Sequence, residues 1–327
     1  MASVPFSTLI DRVRSGVSSI ELVYTSHERW PLPRLSPLRT LRVSILDSSF
    51  NPPSLAHLAL VNAPHICHLA REPDRIQVEG DYDAKLLLLS VRNADKQLKP
   101  GDATYVQRLE MMVLLAKDIV RNRPICLQDH FQTSHSDYAQ TAYDNAAVAI
   151  IDEPTFVGKS KALIQFLRQR VSSYLPSSPD IDLTAAPDIP SSASVTQTVR
   201  PQLTFLVGMD TLERLFAPRF YPSEEAMLQA LRQFFSVDGD DARVVCARRV
   251  LPGIMHTQDE KGQEFLGIIH DYLQRNRVTM IEIGEHEKEI SSTQIRNLLG
   301  GGDNAWRRMT TSSVAEYITQ QGLYSTT

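Results

Sequence analysis

Cysteine is scarce and unpatterned in this chain. Three residues, Cys67, Cys126 and Cys246, lie scattered among 327. An odd, unclustered set argues against a disulfide framework and suits a reducing compartment. There is no Cys-x-x-Cys pair to start a tetrahedral zinc site, so His65, Cys67 and His68 read as incidental neighbours. Long apolar runs are missing too: none approaches the ~20 residues of a membrane span, although a hydrophobic content of 42% supports a sizeable core. Positive charge is not in excess. Lys plus Arg 34 against Asp plus Glu 38 gives a net charge of −4, which disfavours nucleic acid as the main partner. No cationic segment leads into an apolar one at the start, so no secretory signal is expected, and Asp11, Glu21 and Glu28 disfavour a transit peptide. No internal repeat is found. A phosphate-binding P-loop is lacking as well. Gly158-Lys159-Ser160 looks like the end of one, but the place of its first glycine holds Glu153, followed by Pro154.

What remains is a regular alternation of strand and helix signals. The apolar alternation of Leu41, Val43 and Ile45 predicts a strand, and Ala84–Ser90 and Ala146–Ile151 read as further strands, the former of buried parallel type. Helices are expected over about Thr104–Val120 and Gly158–Tyr174. In the second half, Leu203–Val207, Arg243–Ala247 and Val278–Ile283 read as strands. Thr211–Phe216, Ser223–Phe235 and a last segment around Ser313–Gln320 read as helices. This order implies parallel βαβ units in a doubly wound α/β sheet. Residues 1–39 form an N-terminal arm with an amphipathic pattern from Phe6 to Val23, best read as an extra helix packed on the domain. Residues 40–327 form one domain, and its stretch at about 175–200, rich in serine and proline, reads as a low-complexity insertion.

The segment after the first strand carries the strongest chemical signal. Ser48-Ser49-Phe50-Asn51-Pro52-Pro53 is a turn whose prolines stop the strand, and a helical pattern begins at Ser54. Free N–H groups and the helix dipole aim at such a turn, which makes it a phosphate site. His57 lies one turn into the helix, on the same face as Ser54. A second signal is Ser291-Ser292-Thr293 ahead of a short helix carrying Arg296. Capping needs only one of those hydroxyls, whereas all of them with an arginine one turn in suit a polyphosphate. Gly208-x-Asp210 closes a strand and by itself is compatible with a simple turn and cap. Phe220 and Tyr221 read equally as core aromatics or as a stacking surface. Lys96 sits in a polar loop with Lys99 as its rival, upstream of a helix bearing Arg108. Arg248 follows a strand end.

Ser48-Ser49-Phe50-Asn51-Pro52 with Ser54-x-x-His57 resembles the nicotinamide mononucleotide adenylyltransferases of the nucleotidylyltransferase superfamily. Ile290-Ser-Ser-Thr-x-x-Arg296 and Phe205-Leu-Val-Gly-Met-Asp210, continuing to Pro218-x-Phe220-Tyr221, are similar to the same family in the same order. Ser48 stands where the family pattern has glycine, and Ser54 where it has Thr or His. The resemblance implies a Rossmann-like fold and transfer of AMP from ATP, with Mg2+, to a pyridine mononucleotide. It implies ATP contacts from His57, Gly208, Asp210, Arg248, Ser291, Ser292, Thr293 and Arg296, with Ser54, His57 and Arg296 at the reacting centre. It implies mononucleotide contacts from Ser48, Ser49, Phe50, Lys96, Phe220 and Tyr221. No protein metal ligand, membrane or nucleic-acid partner is implied, and self-association stays open. The location expected is cytoplasmic, with the nucleus as a second site. The family's tryptophan before the third helix has no counterpart in Ile151–Pro154, where Phe156 is the nearest aromatic. Two alternatives therefore stand: the same fold with another phosphorylated acceptor, and an ATP-binding or ATP-hydrolysing regulatory protein. The overall pattern suits a divergent fungal branch.

Overall fold

The computed structural model describes residues 4–32, 40–64, 66–68, 76–78, 81–92, 100–121, 145–174, 199–248, 267 and 269–324. In chain order these form α1 (Phe6–Arg14), β1 (Ile20–Thr25), β2 (Thr40–Asp47), α2 (Leu55–Val61), β3 (Ile66–His68), β4 (Ile76–Val78), β5 (Ala84–Ser90) and α3 (Tyr105–Arg121). There follow β6 (Ala146–Ile151), α4 (Phe156–Ser172), β7 (Arg200–Gly208), α5 (Met209–Leu215), α6 (Glu224–Phe235), β8 (Arg243–Ala247) and β9 (Val278–Ile281). Two short helices, α7 (Ser292–Gly300) and α8 (Ser312–Gln320), follow the last strand.

The main sheet has seven strands in the order β1-β6-β5-β2-β7-β8-β9. β2 lies parallel to β5 on one side, with Val43 opposite Ala84, and parallel to β7 on the other, with Val43 opposite Leu203. β6, β8 and β9 continue the parallel array. Apart from β1, the strand order is that of a doubly wound Rossmann-like sheet, and it reverses between β2 and β7. Crossovers leave in opposite directions at that point, so a crevice opens at the carboxyl ends of β2 and β7.

Burial explains why the inner strands were readable. Every residue of β6 and nearly every residue of β5 is buried, as a parallel strand covered on both faces requires. On one face Leu163 and Leu167 of α4 and Leu231 and Phe234 of α6 pack against Val43, Ile45 and Phe205 of the sheet. On the other, Leu109 and Met112 of α3 and Leu58 of α2 cover Leu46, Leu87 and Val148. A third cluster, with Ile295, Trp306, Val314 and Ile318, joins α7 and α8 to Met111 of α3.

Two elements depart from the sequence reading. The amphipathic pattern from Phe6 to Val23 is not one helix: α1 stops at Arg14, Gly16 takes φ +73°, and Ile20–Thr25 becomes an edge strand antiparallel to β6. The apolar spacing that continued a helix on paper serves a strand once glycine has reversed the chain. The hairpin β3–β4 was also not foreseen. The serine- and proline-rich stretch up to residue 198 lies outside the described residues, and Arg200 opens β7. Among the described residues no helix is long and apolar enough to cross a membrane.

Candidate nucleotide site

The turn between β2 and α2 stands at the mouth of the crevice. Phe50 adopts φ +45°, a left-handed conformation that costs a non-glycine residue roughly 1 kcal/mol or more. Its ring is fully buried and anchors the turn in the core, with the imidazole of His57 tilted over it at 5.1 Å. Phe50 therefore offers a ligand only its backbone. Ser54 is the N-cap of α2, and its backbone N–H donates to Nδ1 of His57 at 3.1 Å, with Ser54 Oγ also 2.8 Å from that nitrogen. An amide N–H can only donate, so Nδ1 is an acceptor and the neutral ring carries its proton on Nε2. Nε2 lies 2.9 Å from Ser48 Oγ, which accepts that proton's hydrogen bond. Both ring nitrogens are thus held by serines of the same turn.

The carbonyls of this turn are gripped from distant parts of the chain. Arg108 Nη1 donates to Ser49 O at 3.4 Å, Arg296 Nη1 to Asn51 O at 2.5 Å, Ser292 Oγ to Pro52 O at 2.7 Å and Thr310 Oγ1 to Pro53 O at 2.8 Å. The hydroxyls expected at the start of α7 divide the work. Ser291 Oγ caps the helix by accepting from Gln294 N, Ser292 ties to Pro52, and Thr293 Oγ1 accepts from Arg296 Nη2 at 3.2 Å. Arg296 is part-exposed, so its charge still faces solvent at the crevice. The two motif segments named from sequence therefore form one structural unit.

Across the switch point, β7 ends at Gly208, and Asp210 stands exposed in the first turn of α5. A Cβ placed on Gly208 would meet no protein atom within 4 Å. The missing side chain leaves open room beside the backbone at the crevice. Phe220 ends a short helical turn over Pro218–Phe220, with the Arg219 guanidinium 4.8 Å from its ring. Tyr221 packs against the core, its hydroxyl donating to Leu215 O at 2.8 Å, and burial pushes its pKa up to about 12. Phe156 is likewise engaged, edge-on to Phe205 at 5.5 Å. Arg248 is exposed beyond β8, with its Nε 3.9 Å from Glu282. Lys96 and Lys99 lie outside the described residues.

Several residues at this site carried no sequence signal. Asp102, in the loop before α3, accepts from Asn51 Nδ2 at 2.8 Å and lies 3.5 Å from Arg108 Nη2 and 3.9 Å from Arg296 Nε. Burial lowers the pKa of Arg108, and Asp102 opposes that shift. Tyr324, beyond α8, donates to Asn51 Oδ1 at 2.8 Å. Lys159, from the rejected P-loop look-alike, is buried at the start of α4 and binds Asp47 at 2.5 Å, one residue before Ser48. Gly158 has a structural reason: a Cβ there would come within 2.3 Å of the Glu153 side chain, which itself accepts from Thr155. A single aspartate or tyrosine has no periodicity; only the positional link to Asn51 or Arg296 marks it.

No family model matches the chain. Over 312 residues it is 26% identical to a putative nicotinamide mononucleotide adenylyltransferase of Schizosaccharomyces pombe, covering 93% of this chain and 90% of that protein. Among solved structures it is similar to the nicotinic acid mononucleotide adenylyltransferase of Plasmodium falciparum complexed with NaAD, with TM-score 0.43, 12% identity and coverage of 86% and 97%. It is also similar to a putative nicotinate-nucleotide adenylyltransferase from Vibrio parahaemolyticus, with TM-score 0.31, 16% identity and coverage of 88% and 96%. Superpositions that loose place no side chain. The strand order defines a Rossmann-like α/β fold, and the joined motifs lie at its switch point. The likeness to the Schizosaccharomyces pombe protein runs over nearly the whole of both chains.

Proposed function

We propose that this protein transfers AMP from MgATP to nicotinamide mononucleotide, forming NAD and pyrophosphate. The observation that carries the reading is the direct seating of Arg296 and Ser292 on the carbonyls of the Ser48–His57 turn, at the sheet's switch point. A 5′-phosphate oxygen of the mononucleotide attacks the α-phosphorus of ATP, and the bond to the bridging oxygen of pyrophosphate breaks. The attacking oxygen is already ionised at neutral pH, so catalysis is positioning and charge stabilisation rather than base chemistry.

In this reading the Nε2–H of His57 leaves Ser48 Oγ and donates to an α- or β-phosphate oxygen, where charge builds in the transition state. Ser54 holds the ring in the tautomer that makes this possible. Arg296 and the N-terminus of α7 receive the departing pyrophosphate, while Gly208 and Asp210 accept the adenosine. Ser48 and Ser49 face the mononucleotide phosphate. Among the described residues no group of three or more His, Cys, Asp or Glu is placed to hold a metal ion. Magnesium would arrive on the triphosphate, as is common for this small, strongly hydrated ion.

A second acceptor is favoured by one observation. Tyr221 and Phe156 spend their rings on the core, which leaves Phe220 to face a pyridine ring. Product analysis with MgATP and a panel of nicotinamide and nicotinate mononucleotides, flavin mononucleotide, phosphopantetheine and phosphocholine separates the readings. Dinucleotide and pyrophosphate from nicotinamide mononucleotide are expected. Product from another acceptor alone overturns the substrate, and free phosphate without any dinucleotide overturns the transferase reading.

A further inference from the structure

The last described residue, Tyr324, reaches back 273 positions to the catalytic turn. It follows α8 through Gly322 (φ +59°) and itself takes φ +62°, so the chain reverses there and points the phenol inward. Its hydroxyl donates to Asn51 Oδ1 at 2.8 Å, and the backbone N–H of Ala103 donates to the same oxygen at 3.3 Å. The Ala103 N–H can only donate, so the end of the buried Asn51 amide that meets it is the carbonyl, and the Tyr324 hydroxyl turns its proton toward the same oxygen. The NH2 end must then face Asp102 Oδ1, where it donates at 2.8 Å. A flipped amide would set carbonyl against carboxylate and NH2 against the Ala103 N–H.

The orientation of Asn51 decides how Asp102 divides its charge. Oδ1 is occupied by Asn51, and Oδ2 lies 3.5 Å from Arg108. Arg296 stands off at 3.9 Å and spends its Nη atoms on Asn51 O and Thr293 Oγ1. Asp102 therefore sits within ion-pair range of Arg296, while Asn51 O and Thr293 Oγ1 set the direction of its guanidinium.

We propose that Tyr324 is a positioning residue for triphosphate binding, acting through Asn51 and Asp102 to hold the Arg296 guanidinium in place. The inference rests on Arg296 being the triphosphate ligand. In the full chain, Tyr324→Phe removes the hydroxyl and keeps the ring. ATP affinity measured by calorimetry and KM for ATP should then worsen by about three- to tenfold, with kcat and acceptor KM within about twofold. Tyr317→Phe is the control. It removes a tyrosine hydroxyl of the same C-terminal segment, bonded to Glu110, and should lower the melting temperature comparably while leaving ATP affinity alone.

A double-mutant cycle supplies the readout that a merely structural role would not move. If Tyr324 works through Arg296, adding Tyr324→Phe to Arg296→Ala should weaken ATP no further. Additive losses, an unchanged ATP affinity in Tyr324→Phe, or an equal loss in Tyr317→Phe would each overturn the proposal. Should Arg296→Ala bind ATP normally, the triphosphate assignment falls and this inference with it. Should Arg296→Ala bind poorly while Tyr324→Phe binds normally, only the role of Tyr324 is lost.

Discussion

Ser292 Oγ lies 2.7 Å from the carbonyl oxygen of Pro52, a residue 240 positions earlier in the chain. Through this bond and that of Arg296 to Asn51 O, the start of α7 is fastened to the turn that carries His57. The two strongest sequence motifs are therefore halves of one structural unit, and damage to either half should register at the other.

Arg296→Ala should weaken ATP by about ten- to hundred-fold, since a charge-assisted contact of roughly 1.5–3 kcal/mol is lost. Arg296→Lys should recover only part of this, because one ammonium nitrogen lacks the planar fork whose two Nη atoms reach Asn51 O and Thr293 Oγ1 separately. Calorimetric titration of the folded variants checks both. Unchanged affinity in the alanine variant would remove Arg296 from the triphosphate site.

His57 and Ser48 share a hydrogen bond but should not share a phenotype. His57→Ala should lower turnover by two orders of magnitude or more, as one preorganised donor in the transition state is worth roughly 2.7–4 kcal/mol. Ser48→Gly leaves the ring held from Nδ1 and should change turnover by no more than about tenfold. Steady-state kinetics in parallel decide the matter. Equal losses would mean that Ser48, not His57, meets the reacting phosphate.

The Lys159–Asp47 pair is nearly excluded from water and sits directly under the catalytic turn. Lys159→Ala should destabilise the fold by roughly 3–5 kcal/mol, because a buried carboxylate is left alone. The double change Lys159→Met with Asp47→Leu should recover most of that loss. Urea unfolding of the three proteins tests it, and a stable single variant would show that water reaches the pair.

Stability should fall in alkali. Burial raises Cys246 from its ordinary 9.0 to about 12 and Tyr221 from 10.0 to about 12. Such groups stay protonated in the fold while the unfolded chain releases their protons. Their contribution is complete below pH 9 and is lost as pH rises toward 12. Lys85 opposes this, since burial lowers its pKa and the unfolded chain then holds the extra proton. Burial also raises Tyr24, Tyr82, Tyr272, Tyr317 and Tyr324, so the acidic groups prevail. Denaturant midpoints measured between pH 8 and 11 should decrease, and Cys246→Ala should flatten the decline. A rising midpoint would contradict the argument.

Elements with a repeating signal were legible before any coordinates. Ala84–Ser90 and Ala146–Ile151 fall on β5 and β6 residue for residue, because strands covered on both faces must be apolar throughout. β1 was missed because Val17, Ile20 and Val23 continue a helical spacing across Gly16, and sequence spacing alone does not show a chain reversal. The site was legible where chemistry is local, as in Ser54 with His57 or Ser291 with Gln294. It was illegible where partners meet only after folding. Asp102, Lys159 and Tyr324 sit in ordinary surroundings in the sequence and acquire meaning from Asn51, Asp47 and the arginines.

The grip on the catalytic turn also orders events during synthesis. β2 and the turn emerge early, yet the donors for Asn51, Pro52 and Pro53 are Arg296, Ser292, Thr310 and Tyr324, which lie 240 or more positions later. A nascent chain can assemble the sheet as its strands appear, but the turn lacks those anchors until the segment from Ser292 to Tyr324 has been made. A chain cut before Ser292 would then keep every strand of the sheet and lose the donors that hold the turn.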